Sequence, residues 1–437
     1  MDTYSARICG TQPTQVGVTA EWIVRYRAEP HFQPDLRLEF HELRGSQYVS
    51  AIRLHPVEMK DLSESKVLIV DDDPSSVHIL VEALRGDYKL SVATDGQSAL
   101  WNIQMAAPDL VLLDIVMPEM DGYEVCRRLR AASATRDIPV LFLSGLEEAQ
   151  YKVRGFEAGG NDYVTKPLEL LEVQARVRSL LKAKAYAEAV KERWASELRI
   201  ARDIQLGLLP SNLKTIAQGS NLDLEGLLQP AEGVGGDFYE VLRTTTGQLL
   251  FVIGDVSGKG IPAALLMAVT MTVVRMIAGQ LQQPDVILRW VRDALAVHGT
   301  QGMAVTLLCA VYDPSSGRLT YSSAGHPPPA VCRDGRAILW PQEPSHGMGS
   351  PQGFVLSGSS ITLHPGDFVF LYTNGLLDAT APGDETFGES RLLERLNRCR
   401  GKSSKEVLSD ILKSLEHHMA DQPQPDDISM LAVQRTK

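Results

Sequence analysis

The 437-residue chain shows no apolar stretch long enough to cross a bilayer. Its opening residues, MDTYSARICG, lack the basic-then-apolar order of a secretory signal. Basic charge is not in excess: 43 Lys and Arg stand against 54 Asp and Glu, a formal net charge of −11. That balance speaks against a nucleic-acid partner, whose binding rests on neutralising phosphates. Cysteine is scarce. The five (Cys9, Cys126, Cys309, Cys332, Cys399) form no C-x-x-C pair. Such a set fits reduced thiols in a cytoplasmic protein better than disulfides or zinc. The ten histidines include no H-E-x-x-H, and His417 and His418 read as a solvated helix face. What remains, 44% apolar and 22% charged residues, is the composition of a globular protein. The length calls for two or three domains.

Residues 1–62 form an extension to which no function is assigned. DLRLEFHEL and QYVSAIRL alternate apolar and polar residues, so a hairpin across RGS is expected, and Met59 is a candidate translation start. From Lys66 the pattern changes. KVLIV, KLSVA, DLVLLD, PVLFLS and DYVT are short buried strands alternating with helical stretches of about a dozen residues. Five βα units predict an α/β domain over 63–183, a doubly wound parallel sheet. One long helix is expected over 168–209, its 184–210 part a linker. Leu170, Val173, Val177, Leu180, Ala187, Trp194, Leu198, Ala201 and Leu208 give it an apolar stripe, interrupted by Lys184 and Lys191. A solvated connector and a parallel coiled-coil homodimer both fit that stripe. Residues 211–437 mix strands (QLLFVIGDVS, AVTLLCAVYD, LTYSSAG, DFVFLYT, ISMLAVQ) with helices at 261–279, 284–298, 389–399 and 403–420. This predicts an α+β domain, a β-sandwich flanked by helices.

The first domain places polar groups at the carboxyl ends of its strands, where open α/β sheets bind ligands. Asp71 and Asp72 follow the first strand, Asp114 closes the third and Ser144 the fourth, and Lys166 follows the fifth. Three clustered acids repel one another unless a hard cation such as Mg²⁺ lies between them. VLIVDDDP, LVLLDIVMPEMDGYEVCRRLR, PVLFLSG and GGNDYVTKPLE resemble the response-regulator receiver family over residues 66–183. The resemblance implies that Asp114 accepts a phosphoryl group from a sensor histidine kinase. Asp71, Asp72, Asp114 and the Val116 carbonyl would hold Mg²⁺, Lys166 would pair with the phosphoryl oxygens, and Ser144 and Tyr163 would be the switch residues.

The last domain offers no Ser-His-Asp arrangement and no C-x₅-R loop. It carries acids in glycine-rich settings instead: GVGGDFYE with Asp237, IGDVSGKGIPAALLMA with Asp255, and PQPDDISMLAV with Asp426 and Asp427. Glycines beside an acid let backbone carbonyls and waters approach a metal that a Cβ would obstruct. GGDFYE, GDVSGKGIPAALLM, LTYSSAGHPPPAV, LYTNG and PDDIS resemble, in that order, the sporulation-type (SpoIIE-like) branch of the metal-dependent 2C (PPM) protein serine/threonine phosphatases. ELRIARDIQLGLLP is similar to the helix preceding that domain. The resemblance implies two Mn²⁺ or Mg²⁺ ions, with Asp237, Asp255 and Asp426 as catalytic ligands and the Val256 carbonyl touching one ion.

One letter departs from the pattern. The family's usual T-D-G is Thr373-Asn374-Gly375, which keeps an oxygen donor and removes a charge. Asp378 could supply the charge if a helix begins at Asn374. The leading expectation is a two-component response regulator whose phosphorylation controls a protein phosphatase. By resemblance, its phosphoprotein substrate is an anti-sigma-factor antagonist. The alternative is a pseudophosphatase that captures its partner without turnover.

Overall fold

The computed structural model describes residues 61–145, 149–278, 283–298, 302–350, 353–420 and 422–436, and two short paired strands, β1 (Ser5–Arg7) and β2 (Ile23–Arg25). The hairpin expected across RGS, Met59 and Cys9 lie outside the described residues. The chain divides into two compact units, Met1–Trp194 and Ala195–Lys437.

In the first unit, β3 (Lys66–Val70), β4 (Lys89–Ala93), β5 (Leu110–Asp114), β6 (Val140–Ser144) and β7 (Asp162–Thr165) form an all-parallel sheet in the order β4-β3-β5-β6-β7. Helices α1 (Pro74–Leu84), α2 (Gly96–Met105), α3 (Gly122–Ala131) and α4 (Ala149–Glu157) connect them. The central strands β5 and β6 are buried at every residue, so they read as unbroken apolar runs, while edge strand β4 exposes Lys89, Ser91 and Val92. Asp73, Asp95 and Asp121 cap α1, α2 and α3 by accepting backbone N–H bonds, which fixes where each helix leaves its strand.

Helix α5 (Leu170–Leu208) is one continuous element, and the division between the units falls within it, inside the 184–210 segment. Val173 and Val177 are buried as the stripe predicts, but Leu181 is the next to be fully buried, and Leu170 is exposed. Lys184, which breaks the stripe in sequence, pairs with Asp109 at 2.9 Å.

In the second unit, α6 (Leu213–Ile216), β8 (Leu222–Gln229), β9 (Phe238–Arg243), β10 (Leu249–Val256), α7 (Gly260–Ala278), α8 (Pro284–His298), β11 (Val305–Asp313) and β12 (Arg318–Ala324) come first. Then follow β13 (Ala330–Arg333), β14 (Arg336–Leu339), β15 (Ser357–Thr362), β16 (Phe368–Tyr372), α9 (Asn374–Asp378), α10 (Gly388–Asn397), α11 (Ser404–Met419) and β17 (Ile428–Arg435). Two antiparallel sheets, β15-β12-β11-β10-β9 and β14-β13-β16-β17-β8, make the sandwich. Strand β10 shows how the sequence builds it: Leu249, Phe251 and Ile253 enter the core between the sheets, and Leu250 and Val252 face the core under α7 and α8. Helices α10 and α11 cover Phe370, Tyr372 and Met430 of the second sheet.

Three expectations need correction. Helix α7 is 19 residues with a mean hydropathy of 1.9, long and apolar enough to cross a membrane by length and composition. Here it buries Ala263, Met267, Met271 and Val274 against the sandwich. His418 is not simply solvated: its ring meets Phe387 edge-on at 5.5 Å, and Nε2 lies 2.9 Å from the Glu385 carbonyl. The strands β8, β9, β13, β14 and β15 and the short helix α6 are not among the expected elements, and α9 enters the expectations only as a condition; β15 (SGSSIT) is an edge strand with little apolar patterning to reveal it. Cys126, Cys309, Cys332 and Cys399 are free and buried.

Candidate metal centres

The carboxyl ends of β3 and β5 lie side by side where the strand order reverses, and they carry the first site. Ligand oxygens of Asp71, Asp72 and Asp114 all fall within 4.8 Å of one another, Asp71 and Asp114 buried and Asp72 exposed. Lys166, following β7, reaches Asp71 Oδ2 at 2.8 Å and Asp114 Oδ1 at 3.2 Å. The Ile115 N–H also donates to Asp114 Oδ1, at 3.0 Å. Burial pushes the Asp114 carboxyl up to about 6; Lys166 opposes the shift and Asp71 adds to it. Burial works against the charge on Lys166, but hydrogen bonding to Asp71 and attraction to both acids outweigh it and raise its pKa. Three acids and one ammonium leave an excess of negative charge suited to a hard cation with oxygen ligands. Ser144 ends β6 and is buried; Tyr163, on β7, meets Phe156 edge-on at 6.1 Å. Val116 is exposed beside the acids. Asp71, Asp72, Asp114, Ser144 and Lys166 stand at the carboxyl end of the sheet, whereas Tyr163 is the second residue of β7.

The second site forms where the two sheets of the sandwich end together. Asp255 sits near the end of β10, Asp237 immediately precedes β9, and Asp426 and Asp427 precede β17. Asp237 is buried, and its carboxyl is held well above the usual carboxylate range by burial and by the charge of Asp255. Burial and then the charges of Asp426 and Asp427 push Asp255 up to about 6, against a hydrogen bond with Asp237. Burial raises Asp426 too, although the Asp427 N–H, 2.9 Å from its Oδ1, works the other way. Mutual repulsion among oxygen donors in a partly dry site is the signature of a position that cations would relieve. A Cβ added at Gly236 would lie 2.3 Å from the Val256 carbonyl oxygen, so only glycine lets the loop before Asp237 approach that oxygen so closely. By charge and oxygen donors these residues suit divalent cations, although among the described residues only Asp71, Asp72 and Asp114 bring three ligand oxygens within 4.8 Å of one another.

Asn374 is the first residue of α9, which does begin there, and its Nδ2 donates to Asp378 Oδ2 at 3.3 Å. A Cβ at Gly375 would meet the Asp427 carbonyl oxygen at 1.9 Å, so this glycine brings the Asn374 loop hard against the Asp426–Asp427 pair.

Sequence patterns left four supporting residues without a role. Asp427 is no spare ligand: Oδ2 accepts from the Gly236 N–H at 2.7 Å and Oδ1 from the Ala231 N–H at 2.8 Å, pinning the glycine loop. The Thr373 hydroxyl donates to Asp237 Oδ2 at 2.6 Å and accepts from the Ser429 N–H at 2.8 Å. Buried His326 spans the sheets, with Nε2 3.1 Å from the Tyr372 carbonyl and Nδ1 3.1 Å from the Thr306 hydroxyl. Burial holds it down at about 3, so it is a neutral strut. Gln205, near the end of α5, bonds Gly235 through both ends of its amide. The one available signal was the doubled acid in PDD.

Comparison with known proteins bears on the family and fold of each unit. The response regulator receiver domain model matches residues 67–178, and the stage II sporulation protein E (SpoIIE) model matches residues 245–436. Protein IcfG of Synechocystis is 31% identical over 268 residues, covering 55% of this chain and 41% of that protein. Response regulator PleD of Caulobacter vibrioides is 38% identical over 137 residues, covering 31% of this chain and 30% of its own length. The chain thus spans less than half of each of these relatives. The SiaA-PP2C domain of Pseudomonas aeruginosa superimposes with a TM-score of 0.51 at 23% identity, over 56% of this chain and 98% of that domain, a likeness of fold. The chain therefore joins, in one polypeptide, a member of the response-regulator receiver family and a SpoIIE-family domain of PP2C fold.

Proposed function

We propose that the chain is a response regulator in which phosphorylation of Asp114 controls a metal-dependent protein serine/threonine phosphatase. The observation that carries the reading is the gathering of Asp237, Asp255 and Asp426, whose carboxyls are all raised, by burial first and by neighbouring carboxylates second. Asp237, Asp255 and Asp426, with the Val256 carbonyl and the Asn374 amide oxygen, would hold two Mn²⁺ or Mg²⁺ ions. Bound there, such ions supply an activated water and offset phosphoryl charge. The chain's own contribution is placement. Asp427 fixes the loop that carries Asp237, Thr373 orients the Asp237 carboxylate, and His326 ties the strand before Asn374 to the strand beside Asp255.

In the receiver, Asp71, Asp72, Asp114 and the Val116 carbonyl would hold Mg²⁺. Lys166 sits ready to neutralise a phosphoryl group on Asp114. Ser144 ends β6 opposite Thr165, and Tyr163 lies on the adjacent β7 opposite Phe142; both would respond to that group. A histidine kinase is the fitting donor. The substrate is a phosphoserine or phosphothreonine protein, by family resemblance an anti-sigma-factor antagonist, in the cytoplasm. Tyr186, Val190, Trp194, Ile200 and Ile204 are exposed along α5 and suit a homodimer through that helix.

A second reading rests on Asn374, whose amide donates to Asp378 where the family has an acid. In that reading the domain binds a phosphoprotein and does not hydrolyse it. Titrating Mn²⁺ into the full chain with a phosphoserine protein separates the two. Turnover that saturates with Mn²⁺ and disappears in Asp255→Asn supports the enzyme. No turnover at millimolar Mn²⁺, restored by Asn374→Asp, supports the binding module.

A further inference from the structure

From Tyr186 to the end of α5, the helix carries mostly charged, polar or exposed residues, and the one side chain there that is buried is polar: Gln205, 3% exposed. A buried amide needs partners for both ends. Gln205 finds both on a single residue, donating from Nε2 to the Gly235 carbonyl at 2.8 Å and accepting from the Gly235 N–H at 3.1 Å. This is the pairing a neighbouring β-strand would offer, supplied here by a helix side chain. Gly235 sits in the loop that delivers Asp237, with the Asp427 carboxylate against its other side: a Cβ on Gly235 would fall 1.7 Å from Asp427 Oδ2. The loop is therefore gripped between Asp427 and α5. About two turns back on the same helix face, Leu198 packs against Gly233, where a Cβ would lie 3.1 Å from its own Cβ. At the helix end, Arg275 of α7 binds the Leu208 carbonyl and, at 2.5 Å, the buried Glu240 carboxylate on β9.

We propose that Gln205 is a positioning residue for the metal centre. It holds the Gly235–Gly236 backbone so that Asp237 and the Val256 carbonyl keep their ligating arrangement, and the last turns of α5 thereby set the metal affinity of the phosphatase-fold domain. The proposal rests on the metal-dependent reading above. It gives α5 a point of action on the acids that does not pass through the apolar helix α7. A shift of α5 by a fraction of an ångström breaks or makes two hydrogen bonds to the loop, without α7 having to move first.

The test compares the full chain with Gln205→Met, which keeps side-chain length and removes both bonds. Each carries Asp72→Ala to silence the receiver's ion site. Leu392→Ala, in the core under α10, serves as a control destabilised away from the acids. Mn²⁺ binding is read by calorimetry on the folded proteins, and thermal melting is read without metal. Gln205→Met is expected to weaken Mn²⁺ binding about 10–100-fold, as loss of a partner behind a ligand typically does. Leu392→Ala is expected to lower the melting temperature and leave Mn²⁺ affinity unchanged. Equal affinity in the Asp72→Ala parent with and without Gln205→Met overturns the role of Gln205 and leaves the phosphatase reading standing. No Mn²⁺ binding by the Asp72→Ala parent at millimolar concentration overturns both. Should Gln205→Met fail to fold, Gln205→Glu, which retains an acceptor for the Gly235 N–H and loses the donor, takes its place with the same outcomes.

Discussion

At the scale of single residues, Asn374 subtracts one charge from a group of acids that already repel one another. The free protein is easier to fold with asparagine there, and the ion is harder to hold. Asn374→Asp is expected to raise Mn²⁺ affinity at least about tenfold, measured by calorimetry; an unchanged affinity would show that this position donates nothing to the ion. His326 gives a prediction of a different kind. Folding holds it at about 3, below its ordinary value of 6.5. The unfolded chain therefore binds more protons between those values. The histidine's contribution to stability is complete above about pH 6.5 and is lost as the pH falls towards 3, by up to about 1.4 kcal/mol per unit. Melting between pH 7.5 and 5 should fall less steeply in His326→Asn than in the wild type; parallel curves would mean the ring is not buried neutral. The candidate acids were legible in the sequence because they stand beside strands or among glycines. Asp427, Thr373 and Gln205 were not, because each is matched to backbone groups or a carboxylate far along the chain, and such bonds leave no spacing to read.

At the scale of elements, α5 is two different surfaces on one helix. Val173, Val177 and Leu181 are buried in the receiver core, whereas Tyr186, Val190 and Trp194 are exposed. Leu181→Ala is expected to destabilise the receiver by about 2–5 kcal/mol, read from denaturant unfolding. Trp194→Glu should leave receiver stability within about 0.5 kcal/mol. It should, however, lower the sedimenting mass to that of one chain if α5 pairs with a second copy; an unchanged mass would sink the pairing. The strands of the receiver could be read almost to the residue, since burial on both faces forces unbroken apolar runs such as LVLLD. The sandwich was read through its central strands only. Edge strand β15 and the mostly half-buried β8 need less apolar patterning, and α9 is five residues long, too short for periodicity to register.

At the scale of the molecule, the proposed function predicts that chemistry at Asp114 alters chemistry at Asp255. Adding beryllium trifluoride with Mg²⁺ to the full chain is expected to change the rate of phosphoprotein hydrolysis, and Asp114→Ala should abolish that change. If the variant responds as the wild type does, control by the receiver is wrong. Following such a response needs a reporter, and the four described cysteines bear on that choice. Burial raises the pKa of Cys126, Cys309 and Cys332, and lifts Cys399 to about 11. Thiol reagents attack the thiolate at an accessible sulfur, so none of these four is a good target at neutral pH. With Cys9 replaced by serine, a cysteine introduced at exposed Trp194 becomes the favoured site for a maleimide dye. The chain's native thiols thus leave α5 open to site-specific fluorescence labelling without dismantling either core.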